Sequence, residues 1–184
     1  MSAEFARHHR ERAATFSRVV EQVTDWDAPT PVAEWKARDV VGHLTTWFPA
    51  FLAAGGVAVP SGDPGDPAGS WVAQSAAVQA LLDDPDRAAA PFTHPQVGTH
   101  RLGGAIDTFY TPDVFMHTWD LARSAGLEVR LDEATCAGLL AGMEAMGPML
   151  RESGQFGVQR PVAADALAQD RLVAFIGRDP HWRP

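Results

Sequence analysis

The chain of 184 residues has only one cysteine and few basic residues, and both features exclude classes of protein. Its single cysteine, Cys136, excludes an internal disulfide and any zinc module built from several thiolates. Lys and Arg together number 15 against 23 Asp and Glu, so the formal net charge is −8. An acidic surface repels a phosphate backbone, and we therefore do not expect a nucleic acid partner.

Long apolar runs are also missing. The longest, from Trp47 to Pro60, is interrupted by prolines and glycines and is shorter than the roughly 20 apolar residues that cross a bilayer. The first residues are polar and charged, with no apolar segment typical of an export signal. We therefore expect no membrane association and a cytoplasmic location.

Apolar residues make up 46% of the chain, and most recur at helical spacing. This pattern predicts helices at 3–24, 37–54, 69–83, 103–126, 132–152 and 165–177, the fifth of them interrupted near Gly147 and Pro148. Ser70 is the expected cap of the third helix, Thr111 and Pro112 resemble a helix start, and Gly126 is a stop signal. No stretch alternates long enough to predict a half-buried strand. The prediction is an all-α single domain, 1–184, with two long crossovers in its bundle.

Asp113 and His117 carry the clearest chemical signal. They are four residues apart on the helix predicted at 103–126, so they project from one face about one turn apart. Most neighbours on that helix are apolar, and polar groups in such surroundings need partners. His43, in the middle of the helix at 37–54, is the natural third member of a site with two histidines and one carboxylate. Such a site leaves zinc an open coordination position and would also accept iron(II), nickel or manganese.

A plainer interpretation explains the same spacing, and from spacing alone it is the more frequent one. Asp113 could interact with the helix dipole and His117 could be a hydrogen-bonded core histidine. Asp39, four residues before His43, is interpreted as a helix cap. Asp120 extends the stripe, and we expect it to orient His117 or to pair with Arg123.

The remaining histidines and the cysteine give weaker signals. These histidines are predicted to be solvated side chains. Two lie in a loop, from which either could approach a metal: His94 and His100. The other three lie near the termini: His8, His9 and His181. Cys136 lies among Ala, Gly and Leu and is predicted to be a packed core residue.

Three segments carry a resemblance to a known family: EWKARDVVGHLTTW, YTPDVFMHTWDLARSAG and RLVAFIGRDPHW. Together they resemble the actinobacterial, metal-binding branch of the DinB/YfiT-like superfamily, which is related to mycothiol-dependent maleylpyruvate isomerases. The resemblance covers nearly the whole chain. It implies a DinB-like four-helix bundle with additional C-terminal helices and a divalent metal, commonly zinc or nickel, between the helices.

The resemblance also implies a ligand set. The isomerase relatives use a histidine on the second helix, then a Glu and a His four residues apart on a later helix. These positions fall on His43, Asp113 and His117. Asp113 is one methylene shorter than Glu, so we expect it to reach the ion after a helix shift or through water.

Thiol activation is the chemistry that the resemblance implies, with mycothiol as the cosubstrate. Lys36 is the only lysine, and Ala, Gly and Pro are abundant, which is typical of the high-GC bacteria that make this thiol. The isomerases also have a C-terminal domain, which we expect a chain of this length to lack. The natural substrate and the oligomeric state, including a homodimer, are left open.

Two hypotheses follow from these residues and the resemblance. The first is a metal-dependent thiol S-transferase or isomerase whose small electrophilic substrate binds over the ion near Trp47, Phe115 and the loop 92–101. The second is a non-catalytic bundle that binds a small ligand or a partner, with a structural or vestigial metal site. An open coordination position favours the first hypothesis, and a fourth ligand from His94 or His100 favours the second.

Overall fold

The computed structural model describes residues 2–147, 150 and 156–184. Its elements are α1 Ser2–Val20, α2 Ala37–Ala54, α3 Pro67–Asp83, α4 Pro85–Ala89, β1 Pro91–His94, β2 Gly98–Arg101, α5 Leu102–Ala105, a π-helical turn Ile106–Tyr110, α6 Thr111–Ser124, α7 Glu133–Met146 and α8 Ala168–Phe175. The prediction of an all-α fold is confirmed, with one small hairpin added. Among the described helices none is both long and apolar enough to cross a membrane.

Four long helices form the bundle. Helix α1 packs on α3 and α6, and α2 packs on the same two helices, so the four elements close into a ring. Large apolar side chains fill its interior: Phe16, Val40, Leu44, Phe48, Trp71 and Tyr110. This arrangement is the expected four-helix bundle, and long crossovers lead from α2 to α3 and from α3 to α6.

Helix α6 belongs to two cores. The face turned away from the bundle packs against α7 and α8 in a second cluster that includes Phe115, Trp119 and Cys136. Every residue from Val114 to Ser124 is therefore buried. This double burial explains why the sequence of α6 is apolar on most sides.

Of the first three predicted helices, the structure confirms the limits of one and changes the limits of the other two. Helix α2 begins and ends as predicted, and the Asp39 carboxylate accepts the Lys36 backbone N–H at 2.8 Å, as a cap does. Helix α1 ends earlier than predicted, at Val20. Ser70 does not cap α3, because the helix begins at Pro67 and the Asp66 carboxylate accepts the backbone N–H of Gly69.

The fifth predicted helix is interrupted at Gly147, as predicted: α7 ends at Met146, and the Gly147 N–H donates to the Glu144 carbonyl. Of the predicted positions beyond Gly147, Leu150 is helical, and 148, 149, 151 and 152 lie outside the described residues. Helix α8 covers Ala168–Phe175 of the predicted 165–177.

The helix predicted at 103–126 is continuous through Thr111 rather than starting there. The Thr111 backbone N–H and hydroxyl both donate to the carbonyl of Ile106, five residues back, so this is a π-helical turn and not an N-cap. At the other end Gly126 has φ +70°, and the next backbone N–H, of Leu127, donates to Ala122 at 2.8 Å. This geometry confirms the predicted glycine stop.

Between the third and fourth predicted helices, where the sequence indicates an irregular or shortly extended chain, the structure has the short helix α4 and the hairpin. Strands β1 and β2 pair antiparallel with Phe92 opposite His100. Each strand has four residues, which is too short for alternating hydrophobicity to stand out.

Candidate metal centre

Two bundle helices bring the three predicted ligands together. His43 lies in the middle of α2, and Asp113 and His117 lie one turn apart on α6. One nitrogen or oxygen atom from each lies within 4.8 Å of the other two. The Asp113 carboxylate is the centre of the group, with Oδ2 3.1 Å from His43 Nε2 and Oδ1 3.5 Å from His117 Nε2.

The donor set and its spacing fit a divalent cation. Two ligands that each lie about 2.0–2.2 Å from tetrahedral zinc are about 3.3–3.6 Å apart. The distances of 3.1 and 3.5 Å from Asp113 to the two imidazoles are close to this range. Two imidazoles and a carboxylate also suit nickel and iron(II). The shorter Asp side chain needs no helix shift to reach both imidazoles.

The orientation of the His117 ring is fixed at its Nδ1 atom, which contacts Asp120 and not Asp113. His117 Nδ1 lies 2.9 Å from Asp120 Oδ2, and the same carboxylate accepts two hydrogen bonds from Arg178. Because an ionised carboxylate only accepts, Nδ1 carries a proton, and Nε2 on the other side of the ring is directed toward Asp113. Histidines that bind metals commonly have this arrangement.

Of the two roles expected for Asp120, the structure shows the contact with His117 and not the pairing with Arg123. Arg123 donates to Glu128 at 2.7 Å, and its guanidinium lies over the ring of Trp119. The Asp120 carboxylate is buried and pairs instead with the buried Arg178 from the C-terminal segment.

Charge is concentrated in the triad. Burial lowers the pKa of His117, but the carboxylates of Asp113 and Asp120 outweigh burial and raise that pKa above its usual value. Burial raises the pKa of Asp113, yet the imidazoles of His117 and His43 and the indole N–H of Trp47 reverse this effect and lower it. The Asp113 carboxylate is therefore charged at neutral pH, with an imidazole on either side of it.

Two tryptophans form the walls of the site. Trp47 donates its indole N–H to Asp113 Oδ2 at 2.9 Å, so this predicted residue does lie at the triad. Trp35 stacks on His117 with ring centroids 5.8 Å apart and lies 5.2 Å from the His43 ring. Sequence analysis missed Trp35, because it lies in the loop before α2 and no periodicity indicates where a loop side chain points.

Phe115 does not join the triad. It follows Asp113 by two positions, which is about 200° around a helix. Its ring is buried in the second cluster, with the Arg12 guanidinium 5.6 Å from its centroid. The structure therefore places Phe115 in the core beneath α7 and α8 rather than over the three ligands.

The two histidines of the hairpin have other contacts. His94 is buried rather than solvated, stacks on Phe51 at 4.3 Å and accepts the Gln96 N–H at its Nδ1. His100 Nε2 lies 2.9 Å from the carbonyl oxygen of Val97. In the part of the chain that the structure describes, neither is grouped with the triad.

The terminal histidines differ from one another. His181 is exposed as predicted, and His8 is half-buried beside Asp107 at 3.0 Å. The prediction that His9 is a surface residue is wrong: it is fully buried in α1, with Nδ1 2.8 Å from Gln79 Oε1, and burial lowers its pKa. The prediction for Cys136 is confirmed, because it is buried and its pKa is raised to about 12 by burial.

The comparisons with known proteins support the resemblance. The family model of the mycothiol maleylpyruvate isomerase N-terminal domain matches residues 6–122. The chain belongs to this family. The matched range contains the four bundle helices almost entirely and all three residues of the triad, whereas α7, α8 and Arg178 lie beyond it. No curated protein and no solved structure matches the chain.

Proposed function

We propose that the chain binds one divalent cation through His43 Nε2, the Asp113 carboxylate and His117 Nε2, and acts as a thiol S-transferase or isomerase on a small electrophile. Zinc is the preferred ion, with nickel and iron(II) as alternatives, and a mycothiol-type thiol is the cosubstrate. One observation carries the proposal: the three donor atoms converge, at spacings that suit a metal, in a domain of the mycothiol maleylpyruvate isomerase N-terminal family.

The surroundings of the triad support a catalytic ion over a purely structural one. A divalent cation held by three protein ligands would supply Lewis acidity that keeps a thiol in its thiolate form at neutral pH. Asp120 keeps the proton of His117 on Nδ1, so Nε2 stays available. Within the described residues neither hairpin histidine supplies a fourth ligand. Trp35 and Trp47 present flat apolar rings that suit a planar, unsaturated electrophile.

The transfer requires no oxidant or reductant. The thiol loses its proton to solvent, its sulfur forms a bond to an electrophilic carbon, and a leaving group departs from that carbon in a transferase reaction. In an isomerase reaction the same sulfur leaves after rotation about the former double bond.

Metal content is the first test of this proposal. Elemental analysis should find about one divalent ion per chain, and both His43→Ala and His117→Ala should lower the content while circular dichroism shows a folded protein. His181→Ala is the matched control, because His181 is exposed and is not one of the three proposed ligands. Full occupancy in the two triad variants would place the ion elsewhere.

Thiol conjugation is the second test. Protein loaded with zinc should conjugate mycothiol to monochlorobimane, with release of chloride, faster than metal-free protein does. The rate should fall to the metal-free level in His43→Ala and stay unchanged in His181→Ala. A loaded protein that neither binds mycothiol nor accelerates conjugation of any thiol would refute the catalytic proposal and favour a non-catalytic metal-binding bundle.

A further inference from the structure

An arginine from the C-terminal segment lies next to the triad. Arg178 has a side chain that is 10% exposed, and the Asp120 side chain that it contacts is 1% exposed. Arg178 Nε donates to Asp120 Oδ1 at 3.2 Å, and Nη2 donates to Oδ2 at 3.0 Å. This paired geometry fixes the plane of the carboxylate as well as its charge.

The backbone fixes the position of Arg178. Helix α8 is followed by Gly177 at φ +94°, whose N–H donates to the carbonyl of Ala174, and the Arg178 N–H donates to Val173 at 2.9 Å. These two bonds are a Schellman motif, which requires a residue that adopts a left-handed conformation. A Cβ on Gly177 would lie 2.6 Å from the Cα of Gly157. Arg178 therefore enters the interior from a tightly packed turn.

A short path of hydrogen bonds leads from Arg178 to the site. Asp120 Oδ2 accepts from Arg178 Nη2 and lies 2.9 Å from His117 Nδ1. Without the guanidinium, Asp120 would lose the paired contact that fixes the plane of its carboxylate, and the side chain would be free to rotate. Rotation removes the fixed acceptor that holds the proton on His117 Nδ1.

We propose that Arg178 is a positioning residue that acts through Asp120 on His117 and keeps His117 Nε2 directed toward Asp113 and His43. The C-terminal segment thereby completes a site whose ligands all lie within the family-matched residues 6–122. The alternative is a purely structural clamp that attaches the end of α8 to α6. The metal-affinity test of this inference rests on the proposed function, whereas the tautomer of His117 can be measured without metal.

Substitutions of Arg178 distinguish these roles. Arg178→Gln should weaken zinc binding about ten- to a hundredfold at an unchanged stoichiometry of about one. Arg178→Lys should restore part of the affinity, because it keeps the charge and loses the paired geometry. Arg123→Gln is the matched control: it removes another buried guanidinium from the same region, one that pairs with Glu128. We expect zinc affinity in this control within about twofold of wild type.

The His117 tautomer gives a second readout. In metal-free wild-type protein, at a pH high enough to keep the His117 ring neutral, nitrogen-15 NMR should find the imidazole proton on Nδ1, and Arg178→Gln should increase the Nε2–H form. A lowered melting temperature in Arg178→Gln with unchanged zinc affinity and tautomer would overturn the inference in favour of the clamp. A wild-type protein that binds no zinc would refute the proposed function, and the tautomer comparison alone would then decide the role of Arg178.

A double substitution tests whether Arg178 acts through Asp120. Asp120→Asn removes the link, so Arg178→Gln should cause no further loss of zinc affinity in that background. Losses that multiply would show that Arg178 acts independently of Asp120 and would overturn the inference. If Arg178→Gln does not fold, Arg178→Lys takes its place both alone and in the Asp120→Asn background.

Discussion

Asp113→Asn is the most direct test of the candidate metal centre. Asparagine keeps the size of the side chain, and its carbonyl oxygen can still accept the Trp47 indole N–H, which donates to Asp113 Oδ2 at 2.9 Å. The substitution removes the negative charge that lies 3.1 Å from His43 Nε2 and 3.5 Å from His117 Nε2. We therefore expect a folded protein that has lost one metal ligand.

The expected magnitude follows from linkage between zinc binding and folding. A ligand present at a hundredfold excess over its Kd stabilises the folded state by about 2.7 kcal/mol. A domain of this size gains about 2–4 °C in Tm per kcal/mol, so zinc should raise the Tm of the wild-type protein by about 5–11 °C. If Asp113→Asn weakens zinc binding about a hundredfold, the same zinc concentration gives about 0.4 kcal/mol, or about 1 °C.

Calorimetry with and without zinc, after removal of metal by a chelator, measures both shifts. Asp107→Asn is the matched control, because Asp107 also pairs with a histidine, His8 at 3.0 Å, but belongs to the π-helical turn and not to the triad. Its zinc-dependent shift should equal that of wild type. If Asp113→Asn kept more than half of the wild-type shift, the carboxylate would not be a ligand and our reasoning from the triad geometry would fail.

Three further predictions concern residues around the site and the core. Asp120→Asn should weaken zinc binding about tenfold at a stoichiometry of one, measured by chelator competition, and direct coordination by Asp120 in a crystal structure would contradict this role. Burial lowers the pKa of His9 from 6.5, so its contribution to the free energy of unfolding is present above that pH and is lost as the pH falls below it. Urea unfolding should therefore show a larger loss between about pH 7.5 and pH 5.5 in wild type than in His9→Phe, and equal losses would show that His9 is not responsible. Gly177→Ala should lower the free energy of unfolding by about 1–3 kcal/mol because φ is +94° and its Cβ would crowd Gly157, and an unchanged melting temperature would contradict that strain.

The sequence determined the features that depend on spacing along a helix. Asp113 and His117 share a face because residues four apart lie about one turn apart on any α-helix. The limits of α2 and the stop at Gly126 follow from a capping carboxylate and from the conformational freedom of glycine, both of which act within a few residues. The same geometry could have shown that Phe115, two positions beyond Asp113, faces away from it.

Tertiary packing decided which side chains from other elements reach that face. The sequence proposed His43 as the third ligand by residue type and by resemblance, but only the contact between α2 and α6 places its Nε2 3.1 Å from Asp113. Local spacing offered Arg123 as one possible partner of Asp120, whereas the structure pairs Asp120 with Arg178, 58 residues away. A carboxylate buried between two cores needs a buried partner, and the fold supplies that partner from the turn after α8, which no local pattern encodes.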